Sequence, residues 1–147
     1  MSLIKRIEKE LAQAMRDQAE LRRDTLRLAL SELRAAEKDL LRPLSAQEEL
    51  QVLQRERKRH VESADAFRAG GRLEQAEREQ AELTVLEEFM PPPLSQEELE
   101  EIVDNAVAGV GATSMRDLGR VMADVMPQVS GRADGSVVSQ LVREALA

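Results

Sequence analysis

Hydrophobic residues recur along this chain at intervals of three and four, with charged residues between them. This period is typical of amphipathic α-helices. In the first 90 residues it predicts four helices, over residues 3–15, 19–41, 45–69 and 73–90. Short connections join the second, third and fourth helices, so we expect each to lie antiparallel to its neighbour.

The second predicted helix is apolar on two faces. Leu26 and Leu30 lie on one face, and Leu21, Leu28 and Ala35 lie on the other. A helix with two apolar faces is usually central in its bundle. The pattern therefore predicts a central position, with an oligomer contact on one face as the alternative.

Three shorter helices are predicted after residue 93. Ser95 and Glu98 form a capping box at the start of the first, and Ser114 with Asp117 begins the second. The last two helices form a hairpin over residues 119–146, because two apolar stripes of helical period meet there at a short connection.

The corner of this hairpin has the sequence PQVSGRADG. We expect Pro127 to limit the helix before the corner, since the residue preceding a proline is biased away from helical geometry. Gly131 can adopt a positive φ, and Asp134 is suited to cap the helix after the corner. These residues predict a tight and well-defined connection.

Three consecutive prolines at positions 91, 92 and 93 interrupt the helical pattern. Proline cannot continue a helix and favours extended geometry, so we place a domain boundary there. The prediction is an all-α protein with an antiparallel N-terminal domain of about four helices over residues 1–90. A small three-helix tail domain follows over residues 94–147.

Composition narrows the class of protein. Good helix formers dominate, and only 1% of residues are aromatic, which supports the all-α prediction. Cysteine is absent, and no apolar run is long enough for a signal peptide or a membrane span, so a cytoplasmic location without membrane association is expected. The net charge of -7 argues against an indiscriminate nucleic-acid binder.

Candidate catalytic chemistry is sparse. The chain lacks a nucleophile motif, a phosphate-binding loop and a metal-ligand motif, so we expect no catalytic residue, no metal and no cofactor. The single histidine, His60, lies on a basic helix and is interpreted as a surface residue. Four pairs of neighbouring glutamates are interpreted as solvated, because consecutive positions point about 100° apart on a helix. The pairs are Glu48 with Glu49, Glu87 with Glu88, Glu97 with Glu98, and Glu100 with Glu101.

Two groups of basic residues remain as candidates for binding. One is the cluster Arg55, Arg57, Lys58 and Arg59, which intrahelical ion pairing on a solvated face would explain. The other is a set of four arginines in the hairpin that could contact phosphate groups. That set comprises Arg116, Arg120, Arg132 and Arg143. The alternative is that these arginines are ordinary surface residues.

Specific motifs in the hairpin resemble a known family. They are GRVM at residues 119–122, the corner PQVSGRADG and VSQLVRE at residues 138–144. These are similar to the tail shared by YqeY-like proteins and the B subunit of aspartyl/glutamyl-tRNA amidotransferase. SLIKRIEKELAQAMR and VLEEFMPPPLSQEELEEIV extend the resemblance to YqeY-like proteins over nearly the whole chain. The tail motif falls here on Gly119, Met122, Gly131, Asp134 and Gly135, with Val121, Arg132, Ala133, Val138 and Leu141.

The resemblance implies a helical N-terminal domain followed by a three-helix tail. In the amidotransferase B subunit the equivalent tail is implicated in contacting tRNA, whereas glutamine-dependent carbon–nitrogen ligation belongs to a separate catalytic domain. No segment of this chain resembles that catalytic domain. The resemblance thus implies a non-catalytic module associated with tRNA or with a tRNA-processing protein, and a role in assisting tRNA-dependent amidotransfer.

Two other interpretations stay open. Residues 94–147 contain nine acidic residues and four arginines, which disfavours tRNA contact and favours a protein-interaction adaptor that touches no nucleic acid. A stand-alone enzyme is the third interpretation, and the missing nucleophile and catalytic domain disfavour it. The oligomeric state does not follow from the sequence.

Overall fold

The computed structural model describes residues 1–147 and contains seven α-helices and one 3-10 turn, with no strand. This confirms the all-α prediction. The chain divides into two compact units, an N-terminal unit, Met1–Pro91, and a C-terminal unit, Pro92–Ala147. Independent folding of these units as domains stays a prediction.

The N-terminal unit consists of α1 (Leu3–Arg16), α2 (Glu20–Leu40), α3 (Ala46–Ala69) and α4 (Leu73–Glu87). Helix α2 packs against the other three, which agrees with the central position expected for it. Its second apolar face is nevertheless partly open to solvent, since Leu28 is 41% exposed and Ala35 is also exposed. The second apolar face of α2 is therefore only partly covered.

The core of the N-terminal unit joins α1, α2 and the first half of α3 to the C-terminal end of α4. Its buried residues are Leu3, Ile7, Leu26, Ala29, Leu30, Leu33, Val52, Leu53, Leu86, Phe89 and Met90. Ser45 caps α3 through a capping box with Glu48, whose carboxylate also binds the Arg42 guanidinium. The interpretation of Glu49 as solvated is wrong, because it is 4% exposed and accepts a hydrogen bond from the amide of Ile4.

The C-terminal unit consists of α5 (Gln96–Val110), a 3-10 turn (Met115–Asp117), α6 (Leu118–Val129) and α7 (Gly135–Leu146). Ser95 and Glu98 form the predicted capping box at α5, and Ser114 with Asp117 forms another at the 3-10 turn. The three helices pack on one another around an apolar core. That core contains Leu99, Val103, Ala106, Val121, Val125, Val129, Val138, Val142 and Leu146.

The prediction that Pro127 limits the helix before the corner is wrong. Helix α6 continues through Pro127 to Val129. Proline removes one backbone donor, but it does so in the last turn, where Val129 is fully buried in the core. Burial of Val129 outweighs the single lost hydrogen bond, so the helix ends two residues beyond Pro127.

None of the seven helices is both long enough and apolar enough to cross a bilayer.

Candidate functional site

The corner between α6 and α7 is held by local and by distant backbone contacts. Gly131 has a φ of +75°, as its position predicted, and Asp134 accepts hydrogen bonds from the amide and the hydroxyl of Ser136. The amide of Leu94 donates to the carbonyl oxygen of Arg132 at 2.9 Å. The segment that precedes α5 therefore ties down the corner, a contact that the sequence pattern did not reveal.

The four candidate arginines have different partners. Arg120 donates to Asp117 at 3.1 Å and to the carbonyl oxygen of Val110 at 2.7 Å. Amide donation from Thr113, then from Ser114, and the nearby Arg120 charge hold the pKa of Asp117 below its usual range, so this carboxylate stays ionised beside Arg120. The charge of Arg120 is thereby largely neutralised.

The other three arginines have no carboxylate partner. Arg132 donates only from Nε, to the carbonyl oxygen of Pro92 at 3.3 Å, and Arg143 Nε approaches Ser139 Oγ at 3.4 Å. Arg116 lies exposed on the 3-10 turn, and its side chain forms no hydrogen bond or ion pair. The hairpin therefore carries three arginines without an ion-pair partner, namely Arg116, Arg132 and Arg143.

These arginines do not form one cluster. Arg120 lies in the first turn of α6, and the rise from Arg120 to Val129 is about 14 Å, so Arg132 in the corner is at the other end of the hairpin. Asp134 occupies the amide of Ser136, so the start of α7 is already capped. Any phosphate contact here would rely on arginine side chains spread along the hairpin.

More than half of the acidic residues in the C-terminal unit lie on α5, which packs against both hairpin helices. Five of the nine, Glu97, Glu98, Glu100, Glu101 and Asp104, lie on α5. Residues 115–147 contain four acidic residues and four arginines. The hairpin therefore contains as many arginines as acidic residues, although the unit as a whole is acidic.

The interpretation of His60 as a surface residue is wrong. His60 is only 7% exposed, and its Nδ1 lies 2.7 Å from Glu79 Oε2 and 3.5 Å from Glu82 Oε2 on α4. Neighbouring Val61, by contrast, is 40% exposed. The face of α3 that meets α4 thus carries polar residues in its second half. His60, Glu79 and Glu82 are the residues whose donor atoms could hold a metal ion.

Part of the basic cluster on α3 also lies inside rather than on a solvated face. Glu56 is 2% exposed, and burial raises the pKa of its carboxyl group, although Arg59 binds one oxygen at 3.2 Å. Arg57 is largely buried beside Glu87, with 4.0 Å between Nε and Oε1, and burial lowers the pKa of its guanidinium. The expected intrahelical pairing holds for Arg59 but does not describe Arg57.

The fold and the residue types present define a class of protein. It is an all-helical protein with a helical bundle, a three-helix tail and neither a cysteine nor a nucleophile motif. The model of the YqeY-like protein family matches residues 4–146. The chain belongs to this family, which confirms the resemblance found in the sequence.

A fungal relative matches over nearly the same span. It is the mitochondrial altered inheritance of mitochondria protein 41 of Pyrenophora tritici-repentis strain Pt-1C-BFP, with 30% identity over 146 residues. The match covers 97% of this chain and 80% of that protein. Since the relative is named as mitochondrial, a cytoplasmic location for this chain stays a prediction.

Proposed function

We propose that the C-terminal unit is a non-catalytic module that contacts tRNA through the unpaired arginines Arg116, Arg132 and Arg143. The observation that carries this proposal is their lack of carboxylate partners. Of the four hairpin arginines, only Arg120 forms an ion pair. Unpaired arginines on a structured hairpin can bind phosphate oxygens without first breaking an internal ion pair.

The charge distribution supports the same proposal. The acidic residues that make the C-terminal unit negative lie mainly on α5, whereas the hairpin is balanced. The likeness to the amidotransferase B-subunit tail makes tRNA the nucleic acid to test.

Filter retention of labelled tRNA by the full chain, at about 50 and 200 mM salt, tests the proposal. Replacing Arg116, Arg132 and Arg143 together by alanine should lower retention roughly tenfold at the lower salt, where phosphate contacts contribute most. Each lost contact should also reduce the slope of log affinity against log salt concentration by about 0.7 to 0.9. Arg120→Ala should have a smaller effect, since Asp117 already compensates its charge.

The matched control is Arg68→Ala with Arg72→Ala, which removes two exposed positive charges from the N-terminal unit. This control should retain tRNA nearly as the wild type does. Retention that is absent or independent of salt in the wild type would refute the proposal. Equal losses in the control and the triple variant would point to unspecific attraction and would also contradict it.

The second candidate is a protein-interaction adaptor, and the partly open face of α2 favours it. Leu28 is 41% exposed there, and Met15, near the end of α1, is 50% exposed. A monomeric chain that retains tRNA would favour the first candidate. A chain that fails to retain tRNA and loses a protein partner on Leu28→Glu substitution would favour the second.

A further inference from the structure

We propose that His60, Glu79 and Glu82 form a binding site for a divalent transition-metal ion between α3 and α4, with Zn²⁺ as the reference metal. One atom from each residue, the imidazole Nδ1 and two carboxylate oxygens, can be chosen so that all three lie within 4.8 Å of one another. The residues come from two helices, so the site would join α3 to α4. Nothing in the tRNA proposal depends on it.

The spacing of the donor atoms suits first-row metals. Nδ1 lies 2.7 Å from Glu79 Oε2 and 3.5 Å from Glu82 Oε2. Tetrahedral zinc with bonds of about 2.0 to 2.1 Å separates neighbouring donor atoms by about 3.3 Å. The two glutamate oxygens lie within 4.8 Å of each other, so shifts of up to about 1.5 Å in these flexible side chains would reach this geometry. The ion would bind the tautomer whose Nδ1 carries no proton.

One imidazole and two carboxylates form a recognisable donor set. Imidazole favours zinc, cobalt, copper and iron over magnesium and calcium, which prefer oxygen ligands. Three protein ligands leave at least one coordination position for water. The set therefore predicts binding of Zn²⁺ or Co²⁺ with little competition from Mg²⁺.

The surrounding side chains orient the ligands. Arg78 donates to Oε1 of Glu82 at 3.1 Å, which leaves Oε2 of the same carboxylate directed toward His60. Glu79 and Glu82 are three residues apart on α4, so both lie on the face that meets α3. Both side chains are largely shielded from solvent, at 23% and 16% exposure. Such outer contacts are typical of metal ligands that are held in place before binding.

The charges around the two glutamates also favour a cation. Arg78 binds Glu82 at 3.1 Å and lies 3.9 Å from Asp24, so two carboxylates share one guanidinium. A divalent ion bound to Glu79 and Glu82 would offset the excess negative charge.

Co²⁺ and Zn²⁺ titrations of the tag-free, chelator-treated full chain test the site. We expect one equivalent to bind, with calorimetry giving the affinity and visible Co²⁺ absorption reporting the ligand set. Since His60 is the only histidine, its imidazole resonances in NMR should shift or broaden without ambiguity of assignment. Zn²⁺ should also raise the midpoint of thermal unfolding, because it binds the folded site.

Glu79→Gln is the decisive variant, because its amide oxygen can still accept a hydrogen bond from His60 while the charge is lost. It should keep the helical circular-dichroism spectrum and weaken Zn²⁺ binding at least tenfold, by about 1.4 kcal/mol or more. The matched control is Glu77→Gln, an exposed position on the same helix, which should bind within about twofold of the wild type.

Three outcomes would overturn the proposal. The first is that Co²⁺ leaves the His60 resonances unchanged. The second is that Glu79→Gln and Glu77→Gln bind Zn²⁺ with the same affinity. The third is that a tenfold excess of Mg²⁺ displaces Co²⁺, which would mean that surface carboxylates alone bind the ion.

Discussion

The two units bury different kinds of residue. The core of the C-terminal unit is almost wholly apolar, and its one buried polar side chain, Ser130, donates to the carbonyl oxygen of Met126. The N-terminal unit also buries Glu49, Glu56 and His60, all on α3. Glu49 accepts a hydrogen bond from the amide of Ile4 at 3.0 Å, so one of these buried charges joins α3 to α1.

The two units also differ in how many of their arginines form ion pairs. Most arginines of the N-terminal unit are ion-paired, namely Arg22, Arg23, Arg34, Arg42, Arg57, Arg59, Arg68 and Arg78. In the C-terminal unit only Arg120 is paired. Most arginines of the N-terminal unit therefore form internal ion pairs, whereas most arginines of the C-terminal unit do not.

The largest expected effect comes from placing a charge in the apolar core. Val125 is fully buried, so Val125→Glu should destabilise the C-terminal unit by about 3 to 5 kcal/mol and unfold it. Amide NMR spectra should lose the dispersed signals of residues 92–147 and keep those of residues 1–91.

The control for this experiment is Ala123→Glu, which introduces the same charge at an exposed position of α6. It should leave the spectrum folded. Loss of signals from both units in Val125→Glu would show that they fold as one cooperative structure, which contradicts the prediction of two domains.

A smaller effect compares the same cap in each unit. Ser45→Ala and Ser95→Ala each remove a side-chain acceptor from the N3 amide of a helix and should each cost about 1 kcal/mol. The thermal midpoint should fall further for Ser95→Ala, because the smaller unit has the smaller entropy of unfolding. Calorimetry of both variants measures this, and equal shifts in one shared transition would contradict separate stabilities.

The smallest effect concerns the pH dependence of the N-terminal unit. Burial raises the pKa of Glu56 above its usual 4.5, so this carboxyl lowers stability as the pH rises through that value. Bonding to Arg42 lowers the pKa of Glu48 to about 2, so its contribution is present above 4.5 and is lost as the pH falls toward 2.

Urea unfolding between pH 2 and 7 separates the two groups. Glu56→Gln should become more stable relative to the wild type as the pH increases from 4 to 7. Glu48→Gln should be less stable than the wild type at neutral pH, and this difference should disappear as the pH decreases toward 2. Exposed Glu62→Gln serves as the control and should follow the wild-type curve. Parallel curves for all variants would show that the Glu56 carboxyl is not destabilised by burial.

Much of the fold was predictable because helices and caps depend on residues close together in the sequence. The capping boxes at Ser45 and Ser95, the positive φ of Gly131 and the cap at Asp134 all follow from local chemistry. Pro127 was misjudged because core packing of Val129 outweighed a local preference. The four candidate arginines were identified by sequence, but their different pairing was not.

By itself, the sequence determined the number of helices, the caps at Ser95, Ser114 and Asp134, and the family, since periodicity and short motifs carry that information. Only the tertiary structure decided which charges are buried and which are paired. His60 meets glutamates 19 and 22 positions away on another helix, and Arg132 meets a carbonyl oxygen 40 positions away. Contacts at such separations depend on how helices pack, and neither helical period nor capping pattern specifies them.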